Sequence, residues 1–368
     1  MSHCYAPGHA RMLQSDFFFV LCQHGAERAL KRELSLKRPE LRASYQRPGL
    51  VTFRSDVPVT AELRLDAVLA RSSGLSLGTY RDMAEGCARI AALPAPLCLH
   101  VVERELYRPD ESPPHHHEGQ LEQATEHALR TALPGSFHAQ SEAHSGALVL
   151  DVIVGPGDPM LLGLHRQTAN RSPHPGGRYV YEMPADAPSR AYRKIEEAMA
   201  AFSLPVRAGD MALELGAAPG GAAYALARRG VSVVAVDPAE MAPQVLAFRG
   251  PSGARVTHLR MPMAEVPRNL LPKDVQWLLL DVHLAPQVAL RAVSRFAALY
   301  RHSLLGAVFT LKLNQWSFLD QLDRFVASAS SMGILEPAAR QLPAHRQELA
   351  LAGVTALGRR RSHRATTP

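Results

Sequence analysis

A regular alternation of helices and strongly apolar strands, beginning at Ser189, constrains the fold of this chain most. Ser189 is a suitable N-cap for a helix over 189–202, and strands and helices then alternate along the chain. This alternation predicts a largely parallel sheet with helices on both faces, because parallel strands need crossover connections. Strands are predicted at 211–215, 231–236, 277–280, 306–313, 334–340 and 348–357, the last two completing the sheet antiparallel, with helices at 220–229, 239–248, 287–302 and 316–330.

The N-terminal half reads as shorter α and β pieces. Apolar and alternating runs predict strands at 17–22, 49–54, 97–102 and 147–154, with helices at 27–36 and 121–132. Proline and glycine mark loops at 108–119 and 155–188. We therefore predict an α+β region over 1–154, a linker over 155–188, a doubly wound α/β domain over 189–357 and a basic disordered tail over 358–368.

Composition limits the classes of function. The 368 residues suggest two or three domains, and no apolar run is long enough for a membrane span, so a cytoplasmic protein is expected. The cysteines, Cys4, Cys22, Cys87 and Cys98, predict neither a disulfide framework nor a zinc site, and exclude thiolate chemistry after Cys98. The loop histidines His115–His117 lack partner ligands, so we predict no metal.

Charge favours a polyanionic partner, but only weakly. The net charge of +7 owes much to four arginines among the last ten residues. Only five of the 41 basic residues are lysines, namely Lys31, Lys37, Lys194, Lys273 and Lys312. A lysine can lose its proton when desolvated, whereas an arginine cannot, so each lysine is a candidate for acid–base chemistry.

The glycine-rich segment 214–221 lies between an apolar strand and a helix, where α/β sheets bind ligands. It lacks the spacing of a dinucleotide fold or a P-loop. Asp237 ends the next strand, where a carboxylate can accept both hydroxyls of a ribose. The pair predicts a nucleoside cofactor without phosphates. A tight turn followed by a capping aspartate remains the alternative.

Acid-x-Gly-x-x-Pro-Gly-Gly after the first strand resembles motif I of the FtsJ-like ribose 2′-O-methyltransferases. The stretches 184–197, 215–237 and 309–313 are most similar to the bacterial RlmM type, which implies a seven-stranded Rossmann-like domain, S-adenosylmethionine as cofactor and a ferredoxin-like or THUMP-like N-terminal region. Cofactor-binding residues implied by the resemblance are Glu214, Gly216, Ala217, Pro219, Gly220, Gly221, Asp237 and Asp281. The acidic residue that usually contacts adenine is absent, since Met261 and Pro262 stand there.

The same resemblance implies a Lys-Asp-Lys-Glu catalytic tetrad of Lys194, Asp281, Lys312 and Glu348. A ribose hydroxyl needs a base to take its proton, and two neighbouring lysines can lower each other's pKa. We therefore assign Lys312 as the base, with Asp281 and Glu348 orienting the amines. The four residues could also be unrelated surface and strand-end charges.

Other methyl acceptors fit less well. Methylation at C5 of a pyrimidine uses a cysteine, which the C-terminal half lacks, and exocyclic amines commonly need an Asn/Asp-Pro-Pro-aromatic turn, where this chain has Asp281-Val-His-Leu284. The resemblance implies RNA as substrate, specifically a cytidine of 23S rRNA, either naked or in a ribosome assembly intermediate. A non-catalytic RNA-binding relative and a small-molecule methyltransferase remain open. Candidate phosphate contacts are Arg28, Lys31, Arg32, Lys37, Arg38, Arg166, Arg171, Arg178 and the arginines of the tail.

Overall fold

A computed structural model describes residues 13–105 and 119–365 of the chain. The chain divides into two compact units, Met1–Val180 and Tyr181–Pro368. The histidine run His115–His117 lies outside the described residues. Within the described residues no helix is both long and apolar enough to cross a bilayer.

The N-terminal unit is built on a seven-stranded sheet with strand order β2-β3-β1-β4-β7-β6-β5. All neighbours pair antiparallel except β5 and β6, which are parallel. The helices are α1 (Glu27–Lys37), α2 (Met83–Ala91) and α3 (Gln120–Ala132). The strands are β1 (Gln14–Leu21), β2 (Leu41–Arg47), β3 (Leu50–Thr60), β4 (Ser72–Tyr80), β5 (Cys98–Glu103), β6 (Leu148–Val154) and β7 (Met160–Arg166).

Strands β2, β4 and β7 and helix α2 of this unit were not predicted from the sequence. Strand β2 is a mostly exposed edge strand, and β4 is rich in serine and glycine, so neither carries the apolar signal of a strand. The predicted linker over 155–188 is wrong in its first part, because β7 pairs with β4 and β6 in the middle of the sheet. The THUMP-like character of this unit stays a prediction.

Polar side chains are buried together on the last three strands of this sheet. His165 Nδ1 donates to Asp151 Oδ2 at 2.5 Å, and the His100 ring lies 6.0 Å from the His165 ring. Arg171 is partly buried and donates to the backbone oxygens of Ser73 and Leu63. The candidate contact of Arg171 with RNA phosphate stays a prediction, and part of its guanidinium is used inside the protein.

The C-terminal unit contains the expected α/β sheet of seven strands, in the order β10-β9-β8-β11-β12-β14-β13. Neighbours from β10 to β12 pair in parallel, whereas β14 runs antiparallel to both β12 and β13. The strands are β8 (Met211–Leu215), β9 (Ser232–Val236), β10 (Val256–Leu259), β11 (Trp277–Asp281), β12 (Gly306–Lys312), β13 (Leu335–Arg340) and β14 (Glu348–Val354). This arrangement confirms the predicted fold class of the domain.

Helices cover this sheet. They are α4 (Ala191–Ala201), α5 (Gly221–Arg228), α6 (Pro243–Ala247), α7 (Pro286–Leu299), α8 (Leu322–Ser331) and α9 (Ala356–Ala365). Strand β12 is buried along its whole length, and β11 is buried at all but its last residue, which explains their largely apolar sequences. The sheet therefore has a dry centre, and its polar side chains collect where strands end.

Three predicted elements of this unit need correction. The helix predicted over 239–248 shrinks to α6, because Pro243 fixes the start of the helix at that point. The first turns of the helix predicted over 316–330 form a 3-10 helix over Trp316–Gln321. Within the described residues, 358–365 of the predicted disordered tail belong to helix α9, and the strand before it ends at Val354 rather than at residue 357.

Asp210 fixes α9 to the sheet. Its carboxylate, which is almost fully buried, accepts hydrogen bonds from Trp277 Nε1 at 2.9 Å and from Arg361 Nη1 at 2.8 Å. It also accepts one from the Arg207 backbone N–H. Arg361 is thus a structural residue, and the arginine run that suggested a solvated tail has one member in a largely buried ion pair.

We expect Asp210→Ala to lower the free energy of unfolding of this unit by about 3 kcal/mol, because it leaves a buried cation and an indole N–H without their acceptor. Both tryptophans, Trp277 and Trp316, lie in the C-terminal unit, so tryptophan fluorescence during urea unfolding reports on it. Asp274→Ala is the matched control, since Asp274 pairs with His302 at the exposed surface and its loss should cost under about 0.5 kcal/mol. Equal effects of the two substitutions would contradict this role of Asp210.

Candidate active site

The glycine-rich turn follows β8 and leads into α5. Gly216 has a φ of +81°, which favours glycine, and a Cβ at this position would overlap the backbone oxygen of Asp281. At Gly221, a Cβ would overlap Ser189 Oγ and crowd the Tyr192 backbone nitrogen. Glycine therefore allows the turn to lie against the end of β11 and allows the start of α4 to pack closely on α5.

Asp237 follows β9 and is held against the same turn. Its Oδ2 accepts from the Ala218 backbone N–H at 3.0 Å, and its Oδ1 accepts from the Ala239 N–H at 2.8 Å. The carboxylate is half-buried and stays oriented by these two bonds. A glycine turn without side-chain bulk beside a fixed carboxylate is compatible with the nucleoside cofactor expected from the sequence, and the role of Asp237 as acceptor for its ribose hydroxyls stays a prediction.

Met261 and Pro262, the two residues that replace the expected adenine contact, lie after β10. Met261 packs against the apolar core of the sheet, and Pro262 is exposed. The His258 ring on β10 lies within hydrogen-bond distance of the Asp237 backbone oxygen, with Nε2 at 2.9 Å. Neither Met261 nor Pro262 has a polar side chain that could replace the missing acidic contact to adenine.

Glu214 lies inside the domain. Its side chain is fully enclosed, and burial, followed by the charge of Asp281, raises the pKa of this carboxyl well above its usual range. Oε2 has no hydrogen-bond partner among the residues that the structure describes. The side chain borders a small cavity that is also lined by Lys194, Asp281 and His345. Its predicted contact with the cofactor stays a prediction.

The four residues of the predicted tetrad meet at one edge of the sheet. Asp281 is the last residue of β11, Lys312 the last of β12, and Glu348 the first of β14. Lys312 and Glu348 are direct partners in the antiparallel pair of β12 and β14. Lys194 reaches the same place from α4. Residues up to 154 positions apart in sequence are thus brought together by the ends of three neighbouring strands and by one helix.

Each lysine of the tetrad lies between the same two carboxylates. Lys312 Nζ donates to Asp281 Oδ1 and to Glu348 Oε1, both at 2.6 Å. Lys194 Nζ donates to Asp281 Oδ2 at 3.1 Å and is 2.6 Å from Glu348 Oε2. The side chains are 7% to 20% exposed, so the group is largely desolvated but open at one side. Two positive and two negative charges make it neutral.

This geometry corrects the predicted electrostatics of Lys312. Burial alone would lower its pKa, but the charges of Asp281 and Glu348, together with their hydrogen bonds, raise the pKa above the usual lysine value. Burial opposes ionisation of Glu348 too, yet the two lysines lower its pKa to about 2. In the protein alone Lys312 is therefore an ammonium ion, and the expected mutual lowering by the two lysines is overcome by the carboxylates.

His345 is a buried neighbour of the tetrad that the sequence did not single out. Burial, which outweighs the nearby carboxylates, lowers the pKa of this imidazole to about 4. It is therefore neutral at physiological pH and adds no charge beside the tetrad. The only sequence signal was its position three residues before Glu348, in a loop whose burial could not be foreseen.

Four of the eight basic residues that were candidates for RNA contact in the N-terminal unit pair with acidic neighbours. Lys37 pairs with Glu33, and Arg38 pairs with Glu40. Other members of the set donate to acceptors in the same unit: Lys31 to Gln46, Arg166 to Glu62 and Arg178 to Glu122. The structure therefore singles out none of them as a phosphate site.

Comparison with known proteins finds relatives of the C-terminal unit. Residues 187–314 match the model of the FtsJ-like methyltransferase family. Ribosomal RNA large subunit methyltransferase M of Histophilus somni is 31% identical over 169 residues, which is 41% of this chain and 46% of that protein. The protein of the same name from Xylella fastidiosa is 30% identical over 233 residues, covering 60% of this chain and 62% of the relative.

The matches span about half the length of these curated relatives. Among solved structures, TrmN from Thermus thermophilus aligns over 92% of this chain and 99% of its own, with 16% identity and a TM-score of 0.34. The family match indicates a methyltransferase-like domain over these residues, for which S-adenosylmethionine is the expected cofactor. Residues 187–314 are therefore similar to the FtsJ-like methyltransferases, and the chain resembles ribosomal RNA large subunit methyltransferase M over 41% to 60% of its length.

Proposed function

We propose that this protein transfers a methyl group from S-adenosylmethionine to the 2′-hydroxyl of a ribose in structured RNA, specifically a cytidine of 23S rRNA or of a ribosome assembly intermediate. The observation that carries the proposal is the neutral tetrad, in which two amines lie between two carboxylates beside the glycine-rich turn. The names of the relatives support the RNA substrate. Such a substrate places the reaction in the cytoplasm.

In this mechanism Lys312 is the base. Before it can accept a proton, its ammonium must release one to solvent, after which the free amine takes the proton of the ribose hydroxyl. The hydroxyl oxygen then forms the new bond to carbon, and Lys312 ends the step as an ammonium held by Asp281 and Glu348. S-adenosylmethionine supplies the methyl group, whose bonding electrons stay with the departing sulfur.

Asp281, Glu348 and Lys194 position Lys312. The two carboxylates fix the direction of the Lys312 amine, and Lys194 keeps them ionised and stationary by pairing with the other oxygen of each. In-line transfer depends mainly on orientation, so a fixed amine at the rim of the site is the main contribution of these groups. Asp237 and the glycine turn hold the nucleoside end of the cofactor.

The first test replaces Lys312. We expect Lys312→Ala to reduce methyl transfer by at least about 100-fold while leaving affinity for S-adenosylmethionine within about twofold, because the base does not hold the cofactor. Lys312→Arg should be equally inactive, since it keeps the charge and the ion pairs but cannot serve as a base. Radiolabelled methyl transfer to a large-subunit rRNA transcript and calorimetric cofactor titration measure the two quantities. Lys273→Ala, at an exposed lysine, is the matched control.

A second test separates cofactor binding from chemistry. Asp237→Ala should weaken cofactor affinity at least tenfold, the equivalent of about 1.4 kcal/mol, because the fixed acceptor for two hydroxyls is lost. The rate of a single turnover at saturating cofactor should fall far less than in Lys312→Ala. Unchanged affinity in Asp237→Ala would remove this carboxylate from the cofactor site.

The pH dependence follows from the raised pKa of Lys312. Below that pKa the fraction of free amine rises tenfold for each pH unit, so kcat/KM, which reports the pKa values of the free enzyme, should rise about tenfold per unit between pH 7 and pH 9. Lys312→Arg should abolish this dependence in whatever activity it retains. A flat profile for the unmodified protein would mean that Lys312 does not act as a base.

Substrate identity has its own test. Mapping 2′-O-methyl groups in total RNA from cells with and without the gene should show one site in 23S rRNA that depends on the gene. A change confined to other RNA, or a requirement for a small-molecule acceptor, would replace the proposed substrate.

A further inference from the structure

Three arginines surround the tetrad on the two segments that carry Lys194 and Glu348. Arg190 directly precedes α4, Arg193 lies in its first turn, and Arg346 lies in the loop before β14. All three are exposed. We refer to Arg190, Arg193 and Arg346 as the arginine rim.

Two contacts join the segments that carry the rim. Lys194 Nζ lies 2.6 Å from Glu348 Oε2, and Glu197 Oε2 accepts from the Ala344 backbone N–H at 2.7 Å. The start of α4 and the loop before β14 are therefore neighbours at the mouth of the tetrad. Arg190 interacts electrostatically with both other rim arginines, and also with Glu348 and Asp281.

The tetrad does not neutralise the rim. Its two carboxylates are each bound by two lysines, so the four charges cancel among themselves. Neither Arg190 nor Arg193 forms an ion pair with any residue in the described parts of the chain, although Arg193 Nε contacts Met183 Sδ at 2.9 Å. Holding the charges of Arg190 and Arg193 near each other without an ion-pair partner is unfavourable, and an anionic ligand would relieve it.

We propose that the arginine rim binds backbone phosphates of the RNA strand on either side of the target ribose. In RNA every ribose is flanked by two phosphates, so a 2′-hydroxyl placed at Lys312 brings phosphates to the edge of the same opening. Guanidinium groups suit this role because they bind phosphate through two parallel hydrogen bonds. The inference rests on the proposed function and adds the group that would select a polynucleotide over a small acceptor.

Salt dependence provides the sharpest test. Each lost phosphate contact should reduce the slope of log affinity against log salt by about 0.7 to 0.9. We therefore expect Arg190→Gln and Arg193→Gln each to lower kcat/KM for a large-subunit rRNA transcript about tenfold and to flatten its salt dependence by that amount. The calorimetric affinity for S-adenosylmethionine should stay within twofold of the unmodified protein.

Two further variants serve as controls. Arg190→Lys keeps a positive charge, so it should retain the salt slope while losing part of the RNA affinity through its missing second hydrogen bond. Arg255→Gln removes an exposed arginine just before β10, where this parallel strand begins and thus at the edge of the sheet opposite the tetrad. It should leave both kcat/KM and salt slope unchanged.

The outcomes separate the two proposals. If the unmodified protein methylates the transcript but the rim variants keep its salt slope, the phosphate contact is overturned and the methyltransferase assignment stands. Loss of cofactor affinity in the rim variants would overturn it as well, because the arginines would then bind the cofactor carboxylate. If the unmodified protein transfers no methyl group to RNA, both proposals fail.

Discussion

The edge of the C-terminal sheet that carries the tetrad is held together by two lysines and two carboxylates. These charges could not be buried separately. Removing one partner of a buried ion pair typically costs about 3–5 kcal/mol, because an uncompensated charge is left in a poorly solvated place. Here every charge has two partners, and the four contacts join α4, β11, β12 and β14. The glycine-rich turn after β8 depends on the same arrangement, since Gly216 packs against the backbone of Asp281.

The place of the tetrad was predictable, but its charge state was not. Strand ends in a parallel sheet share an edge, so Asp281 and Lys312 could be put together from the pattern of strands alone. The resemblance to FtsJ-like enzymes added Lys194 and Glu348. Sequence spacing does not reveal that each amine lies within about 3 Å of two carboxylates, and that distance reverses the expected direction of the Lys312 pKa shift.

Fold prediction succeeded where burial is two-sided and failed where it is not. Strands β11 and β12 are largely apolar because helices cover both faces, whereas β2 and β4 look polar although they belong to a sheet. Helix α9 was missed for a different reason. Its arginine run has the composition of a solvated tail, and only the distant partner Asp210, 151 positions away from Arg361, makes it a packed element.

The charges that bring the tetrad together also oppose the proposed proton transfer to Lys312. Asp281 and Glu348 bring Lys312 to the right place, but they favour its ammonium form, which cannot accept a proton. The two carboxylates position the Lys312 amine well but keep it protonated. In the proposed mechanism the free amine must therefore form when substrate and cofactor change the charges around it. Because the tetrad is neutral, its attraction for a polyanion is small. The exposed arginines beside it are then the groups able to draw a phosphate backbone to the amine.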